Sequence, residues 1–241
     1  MFKSFKNSSI IITSMVKYNL KIIFSSFFTY FLIVAFLVLA LIVGIAIADS
    51  EGFNFAIDLM YGWLLFPGML LVFYPTTFGI QNDKDANILE VIFSIPNYRY
   101  KVWLVRLVMV FIISIAILAL FDSLLSVLIF PHEISKVVLQ LCFPVIFFGS
   151  IGFVFSTMIK TGSGAAVVTI LVTIALMILS GAAEGTKWDF FLNPFDQPYQ
   201  VTNTALWEDI IFYNRIYMLV ASVAMILYAM MRLQKREAFN S

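Results

Sequence analysis

The sequence predicts an all-α integral membrane protein with six transmembrane helices, and its composition is the first reason. Hydrophobic residues make up 62% and charged residues 12% of the 241 residues, whereas a soluble domain has about 45–50% and about 25%. The mean hydropathy is +0.99. A chain of this length cannot bury so much apolar surface in a water-soluble core. Most of its surface therefore faces lipid, which excludes a soluble enzyme.

Charge and rare residues exclude further classes of protein. A net charge of +1 provides no basic stripe for phosphates, so we expect no nucleic-acid partner. The single Cys142 lies in an apolar run and the chain has one histidine, which argues against an intrachain disulfide and a metal cluster. We find no catalytic constellation, so we predict no catalytic, cofactor-binding or metal-binding residue in this chain.

The first element, within residues 1–21, is predicted to be an amphipathic helix in the membrane interface. One face of this segment is apolar and carries Ile12, Val16, Leu20 and Ile23, and the opposite face carries Lys17 and Lys21. This pattern is typical of interfacial helices. A cytoplasmic extension of the first transmembrane helix fits the same periodicity.

The six spans follow from long apolar runs, because a spanning helix needs about 20 mostly apolar residues. In lipid, each backbone group must be satisfied within its own segment, which favours helices. The whole chain, 1–241, is then one transmembrane domain. The predicted spans are about 22–48, 59–80, 104–130, 137–159, 162–183 and 210–231.

Lysine and arginine predict the orientation of the spans. Six spans place both termini on one side, and twelve Lys and Arg residues accumulate there, against Lys136 and Lys187 in the loops of the other side. The positive-inside rule then places both termini in the cytoplasm. The aromatic, proline-containing segment 184–209 becomes an outer loop, which we expect to form short interfacial helices.

The connection between spans two and three, residues 82–96, predicts a short cytoplasmic helix. Asn82 is a suitable N-cap, Asp83 and Asp85 favour the first turn, and Pro96 marks the end. Isoleucines at 88, 92 and 95 line one face. That face lies either on lipid headgroups or in the groove of a soluble partner.

The residues of this connection resemble a known family. The run Asn87-Ile-Leu-Glu90-Val-Ile-Phe-Ser-Ile-Pro96-Asn-Tyr-Arg99, followed by a long span, is similar to the cytoplasmic coupling helix of ABC-2 type transporter permeases. The basic entry segment 17–21 and the basic tail 232–237 are similar to that family as well. The resemblance covers nearly the whole chain in size, span number and orientation.

The resemblance implies a multi-pass permease of the bacterial cytoplasmic (inner) membrane. It implies two kinds of protein partner, a second permease copy in a homodimer or heterodimer and an ATP-binding cassette ATPase subunit that holds ATP and Mg. No Gly-x-x-x-x-Gly-Lys-Ser/Thr phosphate loop occurs in this chain, which agrees with a separate ATPase. The implied coupling residues are Asp83, Asp85, Asn87, Ile88, Leu89, Glu90, Ile92 and Phe93.

The function implied by the resemblance is outward transport of an amphipathic or hydrophobic cargo, such as a peptide, lipid or drug. Two alternatives stay open on the sequence. One is an ion-coupled secondary transporter that uses Asp122. The other is a membrane enzyme or assembly protein without transport activity.

Two charges, Asp122 and Arg215, lie inside predicted spans. Asp122 precedes Pro131 by nine residues and Arg215 follows Asp209 by six, which places them roughly 13 Å and roughly 9 Å below the outer surface. Similar depth predicts an intramembrane ion pair, since an unpaired charge there is costly. Alternatively, Arg215 extends outward while Asp122 is protonated or faces a water-filled cavity.

Overall fold

Six long helices form the structure, a computed structural model that describes residues 27–48, 56–85, 99–159, 161–199, 201 and 203–233. All six are long and apolar enough to cross a membrane, and no strand occurs in the described part. The helices are α1 (Phe27–Ala48), α2 (Ile57–Asp85), α3 (Val105–Leu128), α4 (Ile134–Met158), α5 (Gly162–Ala182) and α6 (Thr204–Arg232), and a π-helical turn (Arg99–Leu104) leads into α3. This all-helical, multi-pass architecture confirms the predicted class.

The helices begin and end for local reasons. Thr161 caps α5 by accepting a hydrogen bond from the Gly164 amide at 3.3 Å, and Asn203 caps α6 through the Ala205 amide at 3.0 Å. These side chains satisfy backbone N–H groups that a helix start leaves unpaired. Pro75 lies inside α2, and the hydroxyls of Thr76 and Thr77 donate to the carbonyls of Val72 and Phe73 beside it, each at 2.7 Å.

Helices α2 and α4 form the centre of the bundle and approach closely at glycines. A Cβ atom added at Gly152 would lie 2.6 Å from Thr76 Oγ1 of α2, and one at Gly149 would lie 3.4 Å from Val72 of α2 and 2.5 Å from the ring of Phe111 of α3. Both positions therefore admit only glycine without displacement of a neighbour. Large side chains that are fully buried elsewhere in the bundle include Met60, Tyr61, Leu64, Leu71, Leu118 and Leu141.

Helices α1, α5 and α6 lie at the periphery. They carry large apolar side chains that no other part of the described chain covers, for example Leu41 at 65%, Ile178 at 72% and Val220 at 60% exposure. Lipid is the solvent that accommodates such a surface.

Contacts between helix ends show that the helices alternate in direction. The last turn of α2 meets the beginning of α3 at Asp83 and Arg106, and Gly162 at the start of α5 lies beside Phe78. We call this the predicted cytoplasmic end. The beginning of α2 meets α6 and the 184–199 loop at the other end, through Tyr61 and Arg215, which we call the predicted outer end.

Two sequence predictions are wrong in detail. Helix α2 continues to Asp85, so Asn82, Asp83 and Asp85 lie in its last turns and Asn82 does not cap a new helix. The loop residues 184–199 form turns rather than short helices. Asp189 and Asn193 side chains accept backbone bonds from Phe191 and Phe195, two residues on, and such local bonds compete with a helix.

Candidate functional site

The predicted site residues fall partly inside the described structure. Asp83, Asp85, Asp122 and Arg215 are described. The predicted coupling residues Asn87, Ile88, Leu89, Glu90, Ile92 and Phe93 lie in segment 86–98, outside the described residues, as does the predicted interfacial helix. The structure describes the two helix ends between which segment 86–98 runs, and these ends form the candidate site.

A buried ion pair joins these two helix ends. Arg106 Nη1 donates to Asp83 Oδ2 at 2.7 Å, and the two side chains are 7% and 2% exposed. The guanidinium also lies over the ring of Trp103, 4.9 Å from its centroid, in a cation–π arrangement. Asp85, two residues further along α2, is exposed, and its carboxylate accepts a hydrogen bond from Gln81 Nε2 at 2.6 Å.

This arrangement joins the end of α2 to the beginning of α3. Asp83 lies three residues before segment 86–98, and Trp103 and Arg106 follow that segment in the chain. A buried charge pair resists separation, because removal of either partner leaves an uncompensated charge in a medium of low dielectric constant. A displacement of the end of α2 would therefore act on the beginning of α3.

At the predicted outer end, Asp122 pairs with His132. His132 Nε2 lies 2.8 Å from Asp122 Oδ1, with side-chain exposures of 2% and 0%. The other ring nitrogen, Nδ1, lies 2.7 Å from the carbonyl oxygen of Phe130. This bond closes the turn between α3 and α4.

Both ring nitrogens of His132 have a polar partner. Nε2 faces the Asp122 carboxyl and Nδ1 faces the Phe130 carbonyl. The buried carboxyl and the imidazole therefore each have a hydrogen-bond partner inside the bundle. Oδ2 of Asp122 is buried and has no hydrogen-bond partner.

Arg215 is the centre of a second polar group, which we call the Arg215 cluster. It joins α2, α4, α6 and the outer loop, and Arg215 itself is 4% exposed. Its Nε donates to one side chain, and its two Nη atoms donate to two acceptors each. The acceptors are Gln140 Oε1 at 2.8 Å, Asn214 Oδ1 at 3.0 Å, Met218 Sδ at 3.6 Å, Tyr61 Oη at 3.2 Å and the Leu192 carbonyl at 3.2 Å.

The predicted ion pair between Asp122 and Arg215 is therefore not formed. A guanidinium has five N–H donors, and neutral acceptors of the Arg215 cluster match all five. Asp122 lies on α3 with His132 as its partner. Equal depth was the basis of the prediction, and depth does not determine which face of a helix a residue occupies.

Asp189 attaches the outer loop to α5 and α6. Its carboxylate accepts hydrogen bonds from the Ser180 hydroxyl and, at 2.9 Å, from the Phe191 amide. Its backbone carbonyl accepts from Asn214 Nδ2 at 2.8 Å. Burial raises the pKa of the Asp189 carboxyl above its ordinary value, although the Phe191 amide lowers it in part.

Sequence reasoning missed three contributors to these groups. They are His132, Gln140 and Asn214, none of which belongs to a recognisable sequence motif. The available signal was position: amides and a histidine within one or two turns of a span end, near charges that need partners.

No family model, no curated protein and no solved structure matches the chain.

Proposed function

We propose that this chain is the membrane permease subunit of an ATP-binding cassette exporter. It would move an amphipathic or hydrophobic cargo outward, with ATP and Mg held by a separate ATPase subunit. A second permease copy would complete the transport path. The six long apolar helices and the lack of a phosphate-loop sequence support a transport subunit without its own ATPase.

One observation carries the proposal: the residues that resemble a coupling helix lie between two helix ends tied by a buried ion pair. Segment 86–98 contains the apolar positions and Glu90 of the resemblance. Asp83 and Arg106 flank it at 2.7 Å from each other. A segment that receives force from a partner needs a stiff attachment to the membrane helices, and this pair would supply it.

The mechanism follows from that attachment. ATP binding would close two cassette subunits and shift segment 86–98. Because α2 and α3 share the Asp83–Arg106 bond, both would move with the segment. Helix α2 packs centrally against α4, so the displacement would reach the outer end, where Tyr61 of α2 bonds to Arg215 of α6.

Co-purification tests the proposal. The chain, expressed with its chromosomal neighbours, should retain an ATPase that has a phosphate-loop sequence, and Glu90→Lys should release it. Glu208→Lys, a matched charge reversal at an exposed position of the predicted outer side, should retain the ATPase. Equal retention by the two variants would contradict a docking role for segment 86–98.

A second candidate, ion-coupled transport, is favoured by Asp122. Its carboxyl is buried, lies 2.8 Å from His132 Nε2 and has one unpartnered oxygen. In liposomes that contain only this protein, a proton gradient should then drive cargo movement, and Asp122→Asn should abolish it. Movement that requires the ATPase and ATP, and persists in Asp122→Asn, would exclude this candidate.

A further inference from the structure

Two buried hydrogen-bond donors near the predicted cytoplasmic end lack an acceptor. They are Trp103 Nε1 and Arg106 Nε, on residues that are 2% and 5% exposed. A buried donor without a partner costs about 1–3 kcal/mol. Two such donors on neighbouring turns of one element indicate a shared acceptor.

Both side chains line one small cavity between α2 and α3. The cavity offers about 10 Å³ to the centre of a water molecule, which is room for about one water. The residues of α2 that line the cavity are Pro75 and residues within the next turn or so. The lining residues are Pro75, Thr76, Gly79, Ile80, Trp103, Arg106, Leu107, Val110 and Phe153.

The charge of the site indicates a neutral occupant. Arg106 already has a carboxylate partner, Asp83, at 2.7 Å, so an anion in the cavity would add an uncompensated charge. The space, about 10 Å³ for the centre of a water-sized molecule, matches about one water. The remaining acceptor of this size is water.

Thr76 contributes a third polar side chain to the lining of the cavity. Thr76 Oγ1 donates its proton to the Val72 carbonyl at 2.7 Å, so its lone pairs remain available to accept. A water could then accept from Trp103 Nε1 and Arg106 Nε and donate to Thr76 Oγ1. These three bonds equal the usual number for a buried water.

We propose that one ordered water molecule occupies this cavity and bridges the beginning of α3 to α2 beside Pro75. The bridge satisfies both orphaned donors and adds a link between the two helices that border segment 86–98. This inference depends on the cavity and the donors alone, and it holds or fails independently of the proposed transport function.

Indole-selective ¹⁵N labelling with solid-state NMR tests the proposal in the intact protein in lipid. The chain has four tryptophans, and Trp→Phe variants assign their indole signals. The Trp103 indole proton should receive magnetisation from water although its residue is 2% exposed. Trp188, 57% exposed, is the positive control. Trp207, 6% exposed and bonded to the Pro194 carbonyl, is the negative control.

A matched pair of variants sharpens the test. Thr76→Val removes the proposed acceptor and should weaken water transfer to Trp103 by about twofold or more. Thr77→Val removes a hydroxyl that bonds to its own helix in the same way but does not line the cavity, and should leave the transfer unchanged. A Trp103 signal as weak as that of Trp207, or an equal response to both variants, would overturn the proposal.

Discussion

Arg215 is the residue on which the predicted outer end depends most. Its charge is buried without a carboxylate partner, and neutral acceptors from α2, α4, α6 and the loop compensate it. The residue therefore acts as a structural junction, and its donors are occupied rather than available to a substrate.

Replacement of Arg215 by methionine should destabilise the protein. The change leaves the side-chain oxygens of Gln140, Asn214 and Tyr61 without the Arg215 donor, and we expect a loss of roughly 3 kcal/mol in the free energy of unfolding. Unfolding by SDS in mixed micelles measures this loss. Arg232→Met, at an exposed arginine of the same helix, is the control and should change the value by about 0.5 kcal/mol or less. Equal effects would contradict the junction role.

Asp189 makes stability depend on pH. Burial raises the pKa of its carboxyl in the folded state, whereas the unfolded value is about 3.9. The folded state thus favours the protonated form, so this contribution to stability is complete below about pH 3.9 and is lost as the pH rises through the folded pKa.

The matched variant Asp189→Asn keeps a side-chain oxygen that can accept from the Phe191 amide. Its stability relative to the wild type should increase as the pH rises from about 4 to 7. Thermal unfolding followed by circular dichroism at several pH values measures the difference. Parallel pH profiles for the two proteins would show that Asp189 makes no such contribution.

At the scale of elements, the Asp83–Arg106 pair fastens the end of α2 to the beginning of α3. Asp83→Ala should cost about 3–5 kcal/mol, because Arg106 then remains buried without its partner. The double variant Asp83→Ala, Arg106→Met should recover most of that loss, since no charge remains.

Asp85→Ala, at an exposed carboxylate of the same turn, is the control for this pair and should be nearly neutral. The free energy of unfolding, measured also for Arg106→Met alone, distinguishes these variants. If the loss in the double variant equals the sum of the losses in Asp83→Ala and Arg106→Met, the pair is not coupled.

The contact of α2 with α4 depends on glycine. Gly152→Ala would place a methyl group 2.6 Å from Thr76 Oγ1, and we expect a loss of about 1–3 kcal/mol from overpacking. Gly181→Ala, in α5, meets open space and should be neutral or stabilising because alanine favours helix. Unfolding midpoints compare the two, and an unaffected Gly152→Ala protein would contradict the close approach.

The number and position of these elements could be predicted because lipid imposes a simple rule on them. The run 137–159 is long, apolar and free of charge. The predicted bounds of its helix therefore differ by only a few residues from those of α4. The pairing of side chains was not, because it depends on the rotation of each helix about its own axis. Asp122 therefore found His132 in the adjacent turn rather than Arg215 on another helix.

Helix ends were less predictable than helix centres. Asn82 has a side chain suited to an N-cap, yet α2 continues through it to Asp85. The bond between Asp83 and Arg106 stabilises this longer helix. In the outer loop, aromatic content suggested interfacial helices. The side-chain oxygens of Asp189 and Asn193 instead form turns, a local competition that composition does not reveal.

For the whole molecule, the position of buried charge bears on the cargo. The buried aspartate and arginine side chains of the described residues belong to the groups at the two ends: Asp83, Arg106, Asp122, Asp189 and Arg215. The described part of one chain thus presents no continuous path of charged groups. Under the proposed transport function, the cargo would be amphipathic or hydrophobic, or it would follow a path between two permease copies.

The central claim is that segment 86–98 docks to a separate ATPase. A photoreactive amino acid in place of Glu90, activated in living cells and analysed by mass spectrometry, tests it most directly, with position 208 on the predicted outer side as the control. We predict that position 90 forms adducts with a protein that contains a phosphate-loop sequence and that position 208 does not. Adducts of position 90 with lipid alone would contradict the account.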